Sequence, residues 1–108
     1  MQNTEILNHL GYKVNDALLE QLDRIIENTH GFSKIVKHVM DLHDVLKVDD
    51  SHVAMSNSFD VFKIKVEAPS EPRVEEALEK IKHFEEKFKV ILEKVQGKET
   101  YYIKGFAK

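Results

Sequence analysis

The stretch of sequence that decides the fold is residues 71–96, EPRVEEALEKIKHFEEKFKVILEKVQ. Apolar residues recur through it at alternating steps of three and four, and the residues between them are mostly Glu, Lys and His. Only an amphipathic helix buries such a stripe on one side, so the pattern predicts a single helix that ends before Gly97. The stripe consists of Val74, Ala77, Ile81, Phe84, Phe88, Ile91 and Val95.

The first half of the chain predicts three shorter helices, at about 4–10, 16–29 and 33–47. Asn15 is a suitable N-cap for the second helix, because its side chain accepts a hydrogen bond from a free backbone N–H group of the first turn. Gly31 can take the left-handed conformation that ends this helix.

The residues that flank the long helix predict strands. Between His52 and Glu67 the apolar period drops towards two, and a second extended stretch is expected at about 99–106. The order predicts an α+β fold with an N-terminal helical pair or trio, a sheet of about three strands, and one long amphipathic helix between the last two strands. We expect a right-handed crossover with parallel strands, and the N-terminal helices on the opposite face of the sheet.

Length and composition predict one domain over residues 1–108, with a helical part at 1–48 and a ββαβ part at 52–108. The absence of cysteine excludes disulfides and thiolate chemistry. A membrane span needs about 20 consecutive apolar residues, and no segment is close to this length. The first residues lack the basic region and following apolar run of a secretory signal. These features favour the cytoplasm.

The charge distribution makes nucleic-acid binding unlikely. Residues 1–50 hold 9 acidic and 5 basic side chains, whereas residues 51–108 hold 10 and 11. Affinity for a phosphate backbone comes largely from Lys and Arg, and the chain has only two arginines, Arg24 and Arg73. An alternative places RNA or single-stranded DNA on the sheet, with lysines around an aromatic platform. Its aromatic residues are Phe62, Tyr101, Tyr102 and Phe106, and its lysines are Lys63, Lys65 and Lys104.

The apolar stripe of the long helix has two interpretations. A repeat of 3.5 residues is typical of a coiled-coil seam between two copies. Leu78 and Leu92 widen the stripe, however, which favours packing of the helix on its own sheet. Both interpretations can hold if one edge of the helix packs on the sheet and the other edge contacts a second copy. The predicted interface residues are Lys80, Phe84, Lys87, Phe88, Ile91 and Lys94.

Six histidines make metal binding a second hypothesis, because neutral imidazole is a common metal ligand. His38 and Asp41 are three residues apart on the third helix, and His52 would have to fold back to complete a site. The simpler interpretation buries His43 at the edge of the core with a hydrogen bond, which makes stability depend on pH.

No catalytic, nucleotide or cofactor signature is present, and no cofactor is expected. The first hypothesis is therefore a small non-enzymatic protein that acts by protein–protein contact, as a homodimer or an accessory subunit. The second is a metal or small-ligand binder that uses His38, Asp41 and His52, and the third is a nucleic-acid binder that uses the sheet.

Overall fold

The computed structural model describes residues 1–107, and in this range it contains four α-helices and four β-strands. The α+β class, the N-terminal position of three helices and the long helix set among the strands are confirmed. A short 3₁₀ turn, Lys47–Asp49, follows the third helix. The helices are α1 (Asn3–His9), α2 (Asp16–Asn28), α3 (Phe32–Leu46) and α4 (Glu71–Phe88), and the strands are β1 (His52–Met55), β2 (Phe62–Lys65), β3 (Val90–Lys94) and β4 (Thr100–Phe106).

Local signals explain where α2 begins and how α3 follows it. The side chain of Asn15 accepts a hydrogen bond of 2.9 Å from the N–H of Leu18, as an N-cap does. Gly31 has φ 65°, and a Cβ at this position would lie 2.7 Å from the Cβ of Phe106. Glycine therefore allows both the left-handed turn and the close approach of this turn to β4.

The prediction of one helix through residue 96 is wrong, because α4 ends at Phe88. Lys89 takes the left-handed conformation with φ 54°, and residues 90–94 form strand β3. Ile91 and Val95 fitted the helical stripe because a spacing of four residues also places two side chains on one face of a strand. The β-branched pair Val90 and Ile91 favours the extended conformation.

The sheet has four strands rather than about three, in the order β1-β2-β4-β3, and all its neighbours are antiparallel. The predicted parallel pairing is therefore wrong, although β2 and β3, which α4 connects, run in the same direction on either side of β4. β3 and β4 form a hairpin, and β4 lies between β2 and β3. The additional strand allows the chain to reverse by a short turn after α4, so that no parallel pairing is needed.

The helices pack on one face of the sheet, where their buried residues join the inward residues of the strands in a single cluster. The expectation that the N-terminal helices cover the opposite face is wrong. That face carries Lys63, Lys65 and Tyr102, which alternate with the inward residues along β2 and β4, and lysines tolerate contact with water. The inward strand residues are Val53, Met55, Phe62, Ile64 and Ile103.

Two side chains from the helical part close the β1 edge of the sheet. The backbone N–H of Val53 donates to Nδ1 of His43 at 3.1 Å, and the N–H of Met55 donates to the hydroxyl of Tyr12 at 2.9 Å. Both strand amides point away from β2, so these bonds satisfy donors that would otherwise be free. The predicted burial of His43 is confirmed, because its side chain is hydrogen-bonded and the residue is 4% exposed.

Within residues 1–107, no helix combines the length and the apolar character that a membrane crossing requires.

Candidate functional site

A groove of about 520 Å³ lies between α3 and α4, and we call it the α3–α4 groove. Its volume falls in the range of about 300–1,000 Å³ that is typical of ligand sites in proteins. From α3 it is lined by His38, Asp41, Leu42 and Val45. From α4 it is lined by Glu76, Glu79, Lys80, His83, Phe84 and Phe88.

The floor of the α3–α4 groove is apolar and aromatic. Leu42 and Phe84 are buried, and they anchor the floor to the hydrophobic core. The ring of His38 stacks on the ring of Phe88 with centroids 3.7 Å apart and planes 10° apart. Val45 leaves 45% of its surface exposed. The groove therefore exposes apolar surface to water, and no other part of residues 1–107 covers this surface.

The rim of the groove is acidic. Asp41, Glu76 and Glu79 are exposed carboxylates at its border. Lys80 is the one lysine among the lining residues, and its Nζ lies 2.6 Å from Oδ2 of Asp49 and 3.1 Å from the carbonyl oxygen of Val45. Because Lys80 is already paired, the three carboxylates dominate the potential at the rim.

Cationic side chains of α4 hold the C-terminal end of α3. The ammonium group of Lys80 hydrogen-bonds the carboxylate of Asp49 and thereby lowers the pKa of Asp49. Arg73 donates to Oδ2 of Asp50 at 2.9 Å, one residue further along. Cations are favourable at a helix C-terminus, where the last carbonyl groups carry partial negative charge. These contacts fix the position of α4 relative to α3, and hence the width of the groove.

The residues predicted as metal ligands do not come together. His38 and Asp41 both line the α3–α4 groove, but His52 lies on β1, with its Nδ1 3.6 Å from a carboxylate oxygen of Glu67. In the described part of the chain, no three His, Asp or Glu side chains converge in a way that could hold a metal ion. His38 and Asp41 lie on the same side of α3 because they are three residues apart in the helix, whereas the position of His52 depends on the sheet.

The residues predicted as an interface separate into two groups. Lys80, Phe84 and Phe88 line the α3–α4 groove, and Lys87 lies beside them with its Nζ 5.4 Å from the centre of the Phe88 ring. Ile91 and Lys94 lie on β3, not on the helix, because α4 ends at residue 88.

The aromatic residues predicted as a nucleic-acid platform do not share one face. Phe62 is buried in the core, and Tyr101 packs against the core on the side of the helices. Phe106 packs against the turn at Gly31. Tyr102 remains on the open face, where Phe59 contacts it edge-on at 5.4 Å.

Sequence reasoning missed the α3–α4 groove and its residues Val45, Glu76, Glu79 and His83. The available signal was Val45, an apolar residue beyond the buried stripe of α3. An unburied valine on an amphipathic helix is common and carries little information alone. Its significance appears only when α4 is seen to run beside it.

The groove combines an apolar floor with charged and titratable side chains. The side chains that line it are carboxylates, imidazoles, apolar groups and one paired ammonium group, with no hydroxyl or thiol among them. An apolar floor bordered by charge suits recognition of an amphipathic surface. Comparisons of the chain with protein-family models, with curated proteins and with solved structures gave no match.

Proposed function

We propose that this protein acts by binding a partner protein through the α3–α4 groove, as an accessory subunit in the cytoplasm. The segment that fits the groove is an amphipathic helix whose apolar anchors are flanked by Lys or Arg. The observation that carries this proposal is the apolar floor of the groove beside three exposed carboxylates. The chain has no cysteine, so it needs no disulfide and is compatible with a reducing compartment.

The apolar floor supplies the attraction. Phe88 and Val45 remain partly exposed above the buried Phe84, so a partner side chain that enters the groove removes apolar surface from water on both molecules. Two walls made by helices accept the ridge of a third helix, and its anchors are spaced three and four residues apart.

The rim selects the charge of the partner. Asp41, Glu76 and Glu79 border the floor, and Lys80 is held by Asp49. Basic side chains that flank the anchors would meet these carboxylates, whereas acidic ones would be repelled. Because the carboxylates are exposed, their contribution is expected mainly in the association rate and the selectivity, and it decreases with salt.

Two synthetic helical peptides of about 16 residues test this proposal, because this length is near the minimum for appreciable helix in water. Both carry the same Leu and Phe face, and their flanking positions are all Lys in one peptide and all Glu in the other. Fluorescence anisotropy is expected to show tighter binding of the Lys peptide, with the difference narrowing as salt is raised. Equal affinity for the two peptides would contradict the proposed role of the rim.

Val45→Arg should weaken binding of the Lys peptide by about tenfold or more, because it places a cation over the apolar floor and costs at least about 1.4 kcal/mol. The matched control is Val48→Arg. Val48 is 69% exposed and does not line the groove, so its variant should bind as the original protein does. Melting temperatures of both variants check that the fold is retained. Binding by Val45→Arg at full affinity would exclude the groove as the docking site.

A further inference from the structure

The two edges of the sheet differ in how their backbone groups are satisfied. On the β1 edge, His43 and Tyr12 accept the outward N–H groups of the strand. On the β3 edge, the bonds towards β4 are made at both ends, by the N–H of Val95 to the carbonyl of Thr100 and by the N–H of Ala107 to the carbonyl of Lys89.

Backbone groups alternate in direction along an antiparallel strand. The register shifts between Ile91 and Leu92, where the extra residue is on β4 and not on β3, so the alternation along β3 is unbroken. Residues 89 and 95 face β4, and residues 90, 92 and 94 direct their N–H and C=O groups away from it. The side chains around this edge are accessible, with Ile91 49% exposed and Glu93 and Lys94 exposed. Val90 at the start of β3 is only 3% exposed, so the part of this edge that is open to a further strand lies at Leu92 and Lys94.

The surface beside this edge is self-complementary in charge and partly apolar. Lys82 and Glu85 of α4 stand beside Lys94 of β3. Glu93 is exposed on the opposite face of the strand, across from Tyr102, so the two faces beside this edge together carry two charges of each sign. A hollow of about 360 Å³ on the helix side of the edge is lined by Lys82, Glu85 and Lys94 and by apolar walls. A patch of mixed charge meets an identical patch without net repulsion, as the interface of a two-fold dimer requires. The apolar walls are formed by Leu78, Ile81, Leu92 and Tyr101.

We propose that β3 pairs with β3 of a second copy of this chain, antiparallel about a two-fold axis at Leu92. This pairing joins two four-stranded sheets into one of eight strands. Leu92 lies opposite Leu92 of the second copy, Ile91 lies opposite its Glu93, and Lys94 lies opposite its Val90. This register centres the new hydrogen bonds on the two Leu92 residues, in the open part of each edge. The surface is separate from the α3–α4 groove.

Engineered cysteines test the register, because the chain has none of its own. Positions 91 and 93 of opposite copies form a non-hydrogen-bonded pair with Cα atoms about 4.5 Å apart. This separation lies within the disulfide range. The double variant Ile91→Cys/Glu93→Cys should form covalent dimers on mild oxidation. Either single variant should not, because identical positions are then diagonal and about 7–8 Å apart. Equal cross-linking by a single variant would overturn the register.

Light scattering tests the dimer itself. The protein is expected to show a mass near twice its 12.6 kDa chain mass. Lys94→Pro should shift it to the monomer with an unchanged circular dichroism spectrum, because proline removes an outward N–H and leaves the bonds to β4. Val45→Arg, in the groove, should remain dimeric.

A monomer at about 1 mM, which corresponds to binding weaker than about 4 kcal/mol, would overturn the proposal. A dimer that persists in Lys94→Pro, or one that Val45→Arg dissociates, would place self-association on another surface and would also overturn it. Peptide binding to the groove is measured independently, so either proposal can fail without the other.

Discussion

Phe84→Ala is expected to lower the free energy of unfolding by about 3–5 kcal/mol, the usual cost of truncating a buried phenylalanine. The side chain is 2% exposed, belongs to the hydrophobic core and forms the floor of the α3–α4 groove. Its removal leaves a cavity between α4 and the rest of the core. Because small domains are stable by only about 5–15 kcal/mol, the loss is a large share of the total.

Urea denaturation followed by circular dichroism measures this loss, with linear extrapolation to zero denaturant. The matched control is Phe59→Ala, the same substitution at a residue that is 61% exposed. The control loses only an edge-on contact with Tyr102, so we expect a decrease of no more than about 1.5 kcal/mol. Similar decreases in the free energy of unfolding of the two variants would contradict the burial of Phe84 in the core.

His43→Leu is expected to destabilise the protein by about 1–3 kcal/mol at pH 7.5, because the buried N–H of Val53 loses its acceptor. The acceptor is Nδ1 of the imidazole, which can receive this bond only when it carries no proton. Urea denaturation at pH 7.5 measures the loss. His83→Leu is the control, because His83 is exposed at the groove rim and bonds to no strand amide.

The same histidine should make stability depend on pH. Burial lowers the pKa of His43 from its ordinary value of 6.5, and the positive charge of Lys47 acts in the same direction. Because the folded pKa is the lower one, the unfolded chain binds more protons as the solution is acidified. The contribution is therefore fully present above pH 6.5 and is lost as the pH falls through the folded pKa. Burial lowers the pKa of His52 as well, so it adds a loss of the same sign.

Melting temperatures between pH 7.5 and 5 separate the two histidines. His43→Asn keeps an oxygen acceptor near the position of Nδ1 but does not titrate in this range. We expect its melting temperature to fall less than that of the original protein, with the remainder due to His52. His83→Asn should follow the original curve. A fall in His43→Asn as large as the original one would remove His43 as the titrating group.

Much of the fold follows from local signals that the sequence states directly. The cap at Asn15 begins α2 as expected. Gly31 is left-handed, but α2 already ends at Asn28 with an extended Thr29, so the glycine precedes α3 and does not cap α2. The alternation of Phe62 and Ile64 with Lys63 and Lys65 predicts one buried and one solvated face, and the structure has both. Such signals are reliable because they depend on a few neighbouring residues.

The end of α4 and the α3–α4 groove were beyond prediction for different reasons. Lys89 adopts a left-handed conformation that glycine or asparagine usually provides, so no residue type marked the boundary. The groove depends on the distance between two helices that lie far apart in the chain. The sequence pattern identifies its apolar residues, such as Phe84. It does not show whether such a residue is buried in the core or lines an open groove.

The hydrogen bonds that close the β1 edge have a consequence for synthesis. Tyr12 and His43 precede Val53 and Met55 in the chain, so a ribosome releases both acceptors before it releases the strand amides that they bind. Both acceptor side chains are therefore already outside the ribosome when β1 emerges. A fragment that began after α3 would present a bare strand to every neighbouring fragment, and bare strands are the templates on which fibrils grow.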